Sequence, residues 1–435
     1  MESITTAGGL DLMAATNMSW VRKNAVKWSS IETTEGIYTW SGMGNLDNEL
    51  KNASSNGIKV ILVVRSTPQW ARKIAGTGPS CGPIAQNKLS AFGNFMHALV
   101  ARYSVAPYNV KYWELWNEED GIYKTGDAIW GCWGDADDTN YFGGGYYAEM
   151  LKVAYPQIKA ADTQAQVLIG GLTLGCDPRP GAGCSITGGN STAPKFLEGI
   201  VQNGGGPYFD GVSYHSYDFY DYVIWGGTLG QYGNGDWQSA WNTTGPTFIA
   251  KAEFIKSVLS NYNVTGKYLV NSEVALACGD ADGNSPGDYC KSTDFEKTKA
   301  YYVAQTYAAA IAEGLHASIW YSVFGWRNSQ LINSTDLSTT QAYTAFKFGQ
   351  SELNNVAYSG QVVSADIGGT SGVSGYKFLR NDRRVWMIWS LDGNTHSITF
   401  SSGVPLAAWD ALGVTITPAT SMSITIKPLY LEWNP

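Results

Sequence analysis

The sequence predicts a (β/α)8 barrel in residues 1–354 and an antiparallel β-sandwich in residues 355–435. Seven short apolar segments, rich in β-branched residues, recur along the first part of the chain. Helical segments separate them, and sustained alternation of strand and helix is typical of a parallel α/β barrel. After about residue 354, short runs of alternating apolar and polar residues follow one another, which is typical of antiparallel sheets.

The predicted barrel strands are short and nearly continuously apolar, as expected for a parallel sheet that is buried on both faces. In chain order they are Ser19–Lys23, Lys59–Val64, Val110–Trp116, Val167–Leu172, Gly211–His215, Lys267–Ser272 and Ala317–Ser322. The helices predicted around them are Leu46–Ser55, Leu89–Tyr103, Tyr146–Ala161, Lys195–Asn203, Ile249–Tyr262, Asp294–Glu313 and Thr339–Leu353.

The first strand of the eight is indistinct. Gly9–Asn17 has the pattern of a crossover helix, so the first strand is expected within residues 1–7. Ser3–Thr6 is the short candidate for it.

The C-terminal region is expected to stabilise the barrel, and independent carbohydrate binding is the alternative. It contains no helical pattern and no acidic cluster. Its predicted strands are Gly375–Leu379, Arg384–Ser390, His396–Ser401, Ser421–Ile426 and Pro428–Trp433.

Composition and charge narrow the classes of partner. Only 15% of the 435 residues are charged, 13% are aromatic, and the formal net charge is −8. Nucleic acids and anionic membranes bind clustered positive charge, which this sequence lacks. No stretch approaches the roughly 20 apolar residues of a membrane span. We therefore expect a soluble monomer that binds neither nucleic acid nor membrane.

Six cysteines predict disulfides and export. No CxxC spacing occurs, which argues against structural zinc. Most of them flank loops rich in glycine, proline and aspartate, where buried free thiols, the alternative, are uncommon. We expect the bonds Cys176–Cys184, Cys278–Cys290 and Cys81–Cys132. Disulfides indicate an oxidising compartment, so we expect a secreted protein whose signal peptide was removed before residue 1.

Two glutamates lie at the ends of predicted strands, where barrels of this kind place their active sites. The third strand runs into WNEED, which places Glu118 at its end, and the sixth runs into NSE, which places Glu273 there. Glycoside hydrolysis needs a protonated acid for the leaving oxygen and an ionised carboxylate at the anomeric carbon. The pair therefore predicts a glycosidase, although either glutamate alone is more often a solvated loop charge.

Side chains near these strand ends suit sugar binding. Asn117 offers a neutral amide, and His215 and Tyr217 follow the fifth strand into the same mouth. Trp70 and Trp320 come from the ends of two further strands, and their flat faces suit the apolar face of a pyranose ring.

Several motifs together resemble clan A glycoside hydrolases, most closely family 39 and its relatives. WVRKNAVKWSSIETTEGIYTW and LDNELKNASSNGIKVILVVRSTPQWA are similar to the entry into the clan's barrel. WNEE, FDGVSYHSY and NSE follow in the expected order, and the terminal PLYLEW is similar to a last sandwich strand. The family often has proline where Glu119 stands here.

The resemblance implies a role for each candidate. Glu118 would be the acid/base and Glu273 the nucleophile of a double displacement that retains configuration. Asn117 would bond the 2-hydroxyl group of the sugar. Arg22 would keep the nucleophile ionised, or form a salt bridge in the barrel wall, and Tyr217 would donate to Glu273.

Further residues near the two glutamates also have expected parts. His215 would contact acid or substrate, with a satisfied wall histidine as the alternative, and Trp320 would floor the reacting sugar. Glu119 is the second candidate acid, and Glu114 is expected to be a polar group inside the barrel. Further candidate substrate-binding aromatics are Trp70, Trp133 and Trp326.

The expected substrate is a neutral β-linked glycan of the xylan or β-glucan type. The long segments Gly121–Tyr147 and Asp218–Trp241 contain Lys124 as their only basic residue, among several tryptophans and tyrosines. Anionic polysaccharides would require more basic partners than these loops offer. No cofactor and no metal are expected. The alternatives are a catalytically silent carbohydrate-binding barrel and a transglycosylase that uses the same residues.

Overall fold

The computed structural model describes residues 1, 3–76, 78, 82–121, 133–135, 137–138, 141–179, 195–220, 227–279 and 288–435. Its helices are α1 (Leu10–Ala14), α2 (Trp28–Ile31), α3 (Gly44–Ser55), α4 (Leu89–Tyr103), α5 (Gly144–Ala161), α6 (Phe196–Gln202), α7 (Thr247–Asn261), α8 (Thr293–Ala312) and α9 (Gln341–Glu352). Short 3-10 helices span Thr6–Gly8, Ser41–Met43, Gln69–Ala71, Gln86–Lys88, Gly206–Tyr208, Asp288–Lys291 and Ser364–Ile367.

The strands follow the predicted order along the chain. In the barrel region they are β1 (Trp20–Lys27), β2 (Lys59–Arg65), β3 (Tyr112–Asn117), β4 (Gln166–Leu172), β5 (Gly211–Phe219), β6 (Gly233–Asn234), β7 (Ser239–Ala240), β8 (Tyr268–Ala277) and β9 (Ala317–Trp320). The C-terminal strands are β10 (Ala357–Gln361), β11 (Val373–Arg380), β12 (Arg383–Ser390), β13 (His396–Thr399), β14 (Ala407–Asp410), β15 (Ser421–Ile424) and β16 (Leu429–Trp433).

Parallel pairing in the order β1-β2-β3-β4-β5-β8-β9 confirms the α/β barrel. Short strands β6 and β7 form a hairpin attached to β5. Inside the barrel, Ile61, Leu168, Val270 and Ala317 form one buried cluster. Because successive strand residues face opposite sides, Val60, Leu62 and Val64 instead pack outward with the helices.

The expected first strand is wrong for the described residues. None of those before Trp20 forms a strand, and Thr6–Gly8 is a 3-10 helix in the place of the candidate at Ser3–Thr6. The Ile4 side chain is fully buried, and its amide donates to Glu49 Oε2. Within the described chain, no backbone ladder joins β9 to β1.

The C-terminal region is antiparallel, as predicted. One sheet has the order β10-β11-β12-β16-β14, and β13 pairs with β15 in a second. Both sheets contribute to one hydrophobic cluster that includes Trp386, Ile398 and Ile424. Another cluster joins Tyr301 and Ala308 of α8 to Met387 of β12, so this region covers part of the barrel's helical layer. The sequence had not indicated β10 and β14.

The disulfide Cys278–Cys290 is confirmed. Cys176 is also disulfide-bonded, and its predicted partner Cys184 lies outside the described residues. Cys81 and Cys132 lie outside them as well. Across the described ranges, no helix combines the length and apolarity that a membrane span requires.

Candidate active site

The two predicted glutamates lie close together in the barrel, although β8 continues beyond Glu273 to Ala277. Glu118 directly follows β3, and Glu273 lies on β8, opposite His215 of β5 in the parallel ladder. One oxygen of each carboxylate and a ring nitrogen of His215 all lie within 4.8 Å of one another. The backbone at Trp116 and Glu118 has φ of 80° and 53°. Such left-handed residues cost about 1 kcal/mol or more each and are concentrated at functional sites.

The surroundings of Glu118 favour its protonated form. Its side chain is only 15% exposed, and burial raises the pKa of the carboxyl group to about 7, against the lowering influence of Arg22, Lys251 and Arg65. A carboxyl group with a pKa near neutrality can donate a proton at the pH at which many enzymes work.

The surroundings of Glu273 stabilise its negative charge. Oε1 accepts a hydrogen bond of 2.6 Å from Arg22 Nη1, and Oε2 accepts one from the Tyr217 hydroxyl group. Both oxygens therefore face hydrogen-bond donors. The two glutamates have opposite environments, as an acid and a nucleophile require.

Arg22, on β1, joins the residues of this site. Its guanidinium donates to Glu273, to Glu114 and, at 2.7 Å, to Asn117 Oδ1. The Glu114 side chain is fully buried inside the barrel, in the kind of position expected for it. Because the Asn117 oxygen accepts from Arg22, the amide nitrogen of Asn117 is the part that can donate to another group.

His215 lies against both glutamates as a neutral ring. Its Nδ1 is 3.1 Å from Glu118 Oε1 and 3.5 Å from Glu273 Oε2. Burial lowers the pKa of the imidazole to about 4, so the ring is uncharged near neutral pH. A Cβ atom at Gly171 would lie 2.0 Å from Nε2. Glycine in the β4 sequence VLIGGL therefore makes room for the ring.

Three aromatic rings pack together beside Glu273, and two of them are exposed. The rings of Tyr217 and Trp326 are 4.9 Å apart, and Tyr321 lies 6.2 Å from Tyr217 and 6.3 Å from Trp326. Trp326 is 39% exposed and Tyr321 38% exposed. We call Tyr217, Tyr321 and Trp326 the aromatic wall.

Trp320 does not form the floor that the sequence suggested. It is 6% exposed, its indole donates to Ser329 O, and its ring packs near Tyr302 of α8. Neighbouring residues along an extended chain face opposite sides. Tyr321, one residue later, is therefore the residue whose ring is exposed at the mouth, and the sequence analysis missed it.

Two other tryptophans predicted to bind sugar pack against neighbouring aromatic rings. Trp133 is 2% exposed and packs against Trp116 and Tyr147. Trp70 is half-buried against Trp28 and donates to Glu32 O. Among the described contacts, none joins either tryptophan to Glu118 or Glu273.

Glu119, the second candidate acid, is fully buried. A Cβ atom at Gly170 would lie 2.2 Å from Glu119 Oε2, so its carboxyl group packs against β4 and does not reach the mouth. Burial and the neighbouring Asp120 raise its pKa well above the ordinary value. Glu119 is therefore a buried group held away from the mouth, and Glu118 alone of these neighbours faces Glu273.

Two basic residues near the site also escaped the sequence analysis. Arg65 ends β2, donates through Nε to Asn24 Oδ1, and lowers the pKa of Glu118. Lys251 lies on α7 and is 5% exposed. A signal existed for Lys251, because it falls on the apolar stripe with Phe248 and Ile255 at helical spacing.

The cluster of Glu118, His215 and Glu273 offers atoms that could ligate a metal ion. Arg22 and Tyr217 already donate to the two oxygens of Glu273. A cation placed here would compete with the guanidinium for the same carboxylate. We assign no metal to this site.

The fold and the paired carboxylates define a class: an α/β barrel with two glutamates at the carboxyl ends of its strands. No protein-family model and no curated protein matches the sequence. Solved structures of glycoside hydrolases do match the fold. One is a family 39 glycoside hydrolase from Bacteroides cellulosilyticus, with a TM-score of 0.67 and 16% identity over 99% of this chain and 79% of that one.

Structures with different printed activities share this fold. A family 30 subfamily 8 xylanase from Clostridium acetobutylicum has a TM-score of 0.63 and 12% identity, covering 100% of this chain and 94% of its own. A family 44 xyloglucanase from Paenibacillus polymyxa has a TM-score of 0.55 and 11% identity, covering 98% and 95%. The chain therefore has the fold of families 39 and 30 and of other clan A glycoside hydrolases, and identities this low leave the substrate open.

Proposed function

We propose that this protein is a retaining β-glycosidase that hydrolyses a glycan by double displacement. The observation that carries the proposal is the pair Glu118 and Glu273, with carboxylate oxygens within 4.8 Å of each other. Retaining enzymes hold their two carboxyl groups about 5–5.5 Å apart, whereas inverting enzymes hold them about 6.5–9.5 Å apart to admit a water molecule. The short separation supports retention.

In the first step Glu273 attacks the anomeric carbon and forms an ester bond to it. The bond between that carbon and the leaving oxygen breaks, and Glu118 gives its proton to the oxygen. Glu118 is suited to this step because burial keeps it protonated up to about pH 7. Arg22 and the Tyr217 hydroxyl hold the Glu273 carboxylate ready to attack.

In the second step water replaces the enzyme at the anomeric carbon. Glu118, now ionised, accepts a proton from the water molecule as its oxygen bonds to that carbon. The ester bond to Glu273 breaks and restores its carboxylate. Two inversions at one carbon give net retention, and these steps use only side chains of this chain and water.

The mouth suits a neutral sugar. Asn117 has an amide nitrogen available for a sugar hydroxyl, because its oxygen accepts from Arg22. The aromatic wall offers exposed ring faces next to Glu273, and such faces bind the apolar side of pyranose rings. The guanidinium group of Arg22 is already paired with Glu114 and Glu273. We therefore propose a neutral β-linked glycan of the xylan or β-glucan type as the substrate.

We also propose that the protein is secreted and that its C-terminal region stabilises the barrel. The Cys278–Cys290 disulfide supports an oxidising compartment, and one solved structure with this fold is described as an exported protein from Bacteroides fragilis. We propose that residues 355–435 stabilise the barrel of residues 1–354, because the cluster with Tyr301 and Met387 spans both regions.

A substrate panel tests the proposal. Wild-type protein is assayed on aryl β-xylosides and β-glucosides, xylan, β-glucans and uronic-acid polymers, beside Glu118→Gln, Glu273→Gln and the exposed-site control Glu253→Gln. We expect turnover of a neutral substrate by the wild type and Glu253→Gln, and little by the other two. NMR of the first product should show the β-anomer.

Each contrary result removes a definite part of the proposal. Binding without turnover across the panel would favour the silent carbohydrate-binding barrel. Initial release of the α-anomer would contradict retention. Activity on uronic-acid polymers alone would contradict the neutral substrate. Transfer of the glycosyl unit to an added sugar in preference to water would favour a transglycosylase.

A further inference from the structure

Lys251 is a buried cation that ties two barrel strands together. It extends from α7, and its Nζ donates to Thr173 O at 2.7 Å and to His215 O at 2.9 Å. Thr173 directly follows β4, and His215 lies on β5. The ammonium group also lies 5.5 Å from the centre of the Trp237 ring. Burial of a lysine ammonium group costs free energy unless the group is hydrogen-bonded and lies near opposite charge.

These contacts close a network around Glu118. Asp120, two residues after Glu118, accepts from the amides of Thr173 and Leu174 at 2.9 and 2.8 Å. Lys251 joins Thr173 to His215, and His215 Nδ1 lies 3.1 Å from Glu118 Oε1. We call Glu118, Asp120, Thr173, His215 and Lys251 the acid/base network. Among its members, His215 contacts the Glu118 carboxyl group directly, and the others fix the backbone on which these two residues depend.

The ammonium group of Lys251 also interacts electrostatically with acidic side chains around the acid/base network. Lys251 is faced by Asp120, Asp218, Asp236 and Glu118, and burial lowers its pKa to about 8. Asp218 is engaged by Thr247 and Tyr302.

Glu118 itself is faced by Arg22, Lys251 and Arg65. Asp120, the ring of His215, the Glu273 carboxylate and the Tyr217 hydroxyl group lie near it as well. Arg22 also donates to Glu114 and Glu273, whereas the hydrogen bonds of the Lys251 ammonium go to neutral carbonyl oxygens.

We propose that Lys251 is a positioning residue for the acid/base, which fixes the strand ends around Glu118 and keeps a positive charge beside its carboxyl group. The inference rests on the proposed function, because it assigns Lys251 a part in the proton transfer by Glu118. Lys251 does not touch the substrate. Without the positive charge of Lys251, the protonated form of Glu118 becomes more stable relative to the ionised form. The second step requires the ionised form.

Titration of Glu118 tests this role without turnover. Protein labelled with 13C at the glutamate carboxyl groups is titrated, and Glu118→Gln assigns the signal. We expect the midpoint of Glu118 in Lys251→Gln to rise by about one pH unit, the lower end of what a neighbouring charge produces. Lys251→Arg should keep the wild-type midpoint, as should Lys256→Gln, which alters an exposed lysine on the same helix.

Kinetics then connect the titration to catalysis. In Lys251→Gln the alkaline limb of kcat/KM should move upward with the midpoint, and kcat should fall about tenfold for substrates limited by the second step. Lys251→Arg should retain most of the wild-type kcat. An unchanged midpoint and limb in folded Lys251→Gln, with activity lowered equally for all substrates, would overturn the proposal and leave a structural role.

A second neutral variant covers the case in which Lys251→Gln does not fold. Lys251→Met keeps an apolar stem against Trp237 and should show the same upward shift. A wild-type midpoint in this variant would equally overturn the proposal. If the titrations shift as expected and the wild type hydrolyses nothing, the proposed function fails while the effect of Lys251 on Glu118 stands.

Discussion

Burial of Glu118 determines the pH at which its carboxyl group ionises, and thereby the pH dependence of kcat/KM. The carboxyl pKa rises from 4.5 to about 7, which corresponds to about 3 kcal/mol of extra cost for ionising it in the folded protein. Its side chain is 15% exposed, so solvent screening reduces this cost little. In the proposed mechanism the protonated form is active, and kcat/KM should fall about tenfold per pH unit above about 7.

The same shift affects stability with a definite sign. The pKa of Glu118 is higher in the folded state than in the unfolded state. At pH values between these two pKa values, the folded state therefore binds more protons than the unfolded state. Stability from Glu118 is then present below pH 4.5 and lost as pH rises through about 7. Relative to wild type, Glu118→Gln should gain about 2 kcal/mol of unfolding free energy between pH 5 and pH 8, because glutamine does not ionise.

Urea denaturation at pH 5 and pH 8 measures this difference, with Glu253→Gln as the exposed-site control that should follow the wild type. In parallel, kcat/KM is measured from pH 4 to pH 9 on a substrate with a poor leaving group. An alkaline limb near pH 5, together with no pH-dependent gain for Glu118→Gln, would refute the argument that burial holds Glu118 protonated.

Three further predictions concern other parts of the structure. Tyr217→Phe removes one of the two donors to the nucleophile, and kcat/KM should fall about 10- to 100-fold, since hydrogen bonds to charged groups contribute about 1.5–3 kcal/mol; an unchanged value would remove Tyr217 from the mechanism. Trp326→Ala and Tyr321→Ala should each raise KM for oligosaccharides about 5- to 10-fold with little change in kcat on small aryl glycosides; equal effects on both substrates would argue against the aromatic wall as a sugar-binding surface. Replacing Cys278 and Cys290 with serine opens a loop of sequence separation 12 and should cost about 3 kcal/mol of unfolding free energy in urea titrations; no loss would show that this bond does not stabilise the fold.

Much of the site could be predicted because a parallel barrel brings the ends of its strands to one edge. Once WNEED and NSE are placed at strand ends, Glu118 and Glu273 must converge, however far apart they are in sequence. The strand segments were identifiable because burial on both faces requires continuous apolar runs, as in β2. The contacts of Arg22 and Tyr217 with Glu273 agree with what the resemblance implied.

The remaining features depend on details that sequence patterns do not fix. Trp320 and Tyr321 exchange roles because β9 ends at Trp320 and a shift of one residue reverses the exposed face. Trp133 was a candidate because it lies in a long segment between β3 and α5, but its ring is buried against Trp116 and Tyr147. Lys251 was overlooked because a lysine on a helix is usually exposed, although its place on the apolar stripe indicated burial.

The proposed mechanism requires Glu273 as the nucleophile, and azide rescue of Glu273→Gly tests this role. This variant removes the attacking carboxylate and leaves space at the anomeric carbon, while Glu118 can still protonate the leaving oxygen. With a dinitrophenyl β-glycoside that the wild type hydrolyses, we expect negligible turnover without azide. Azide should restore it and give the α-glycosyl azide, identified by NMR. A folded Glu273→Gly that keeps wild-type turnover, or that azide does not reactivate, would contradict the assignment.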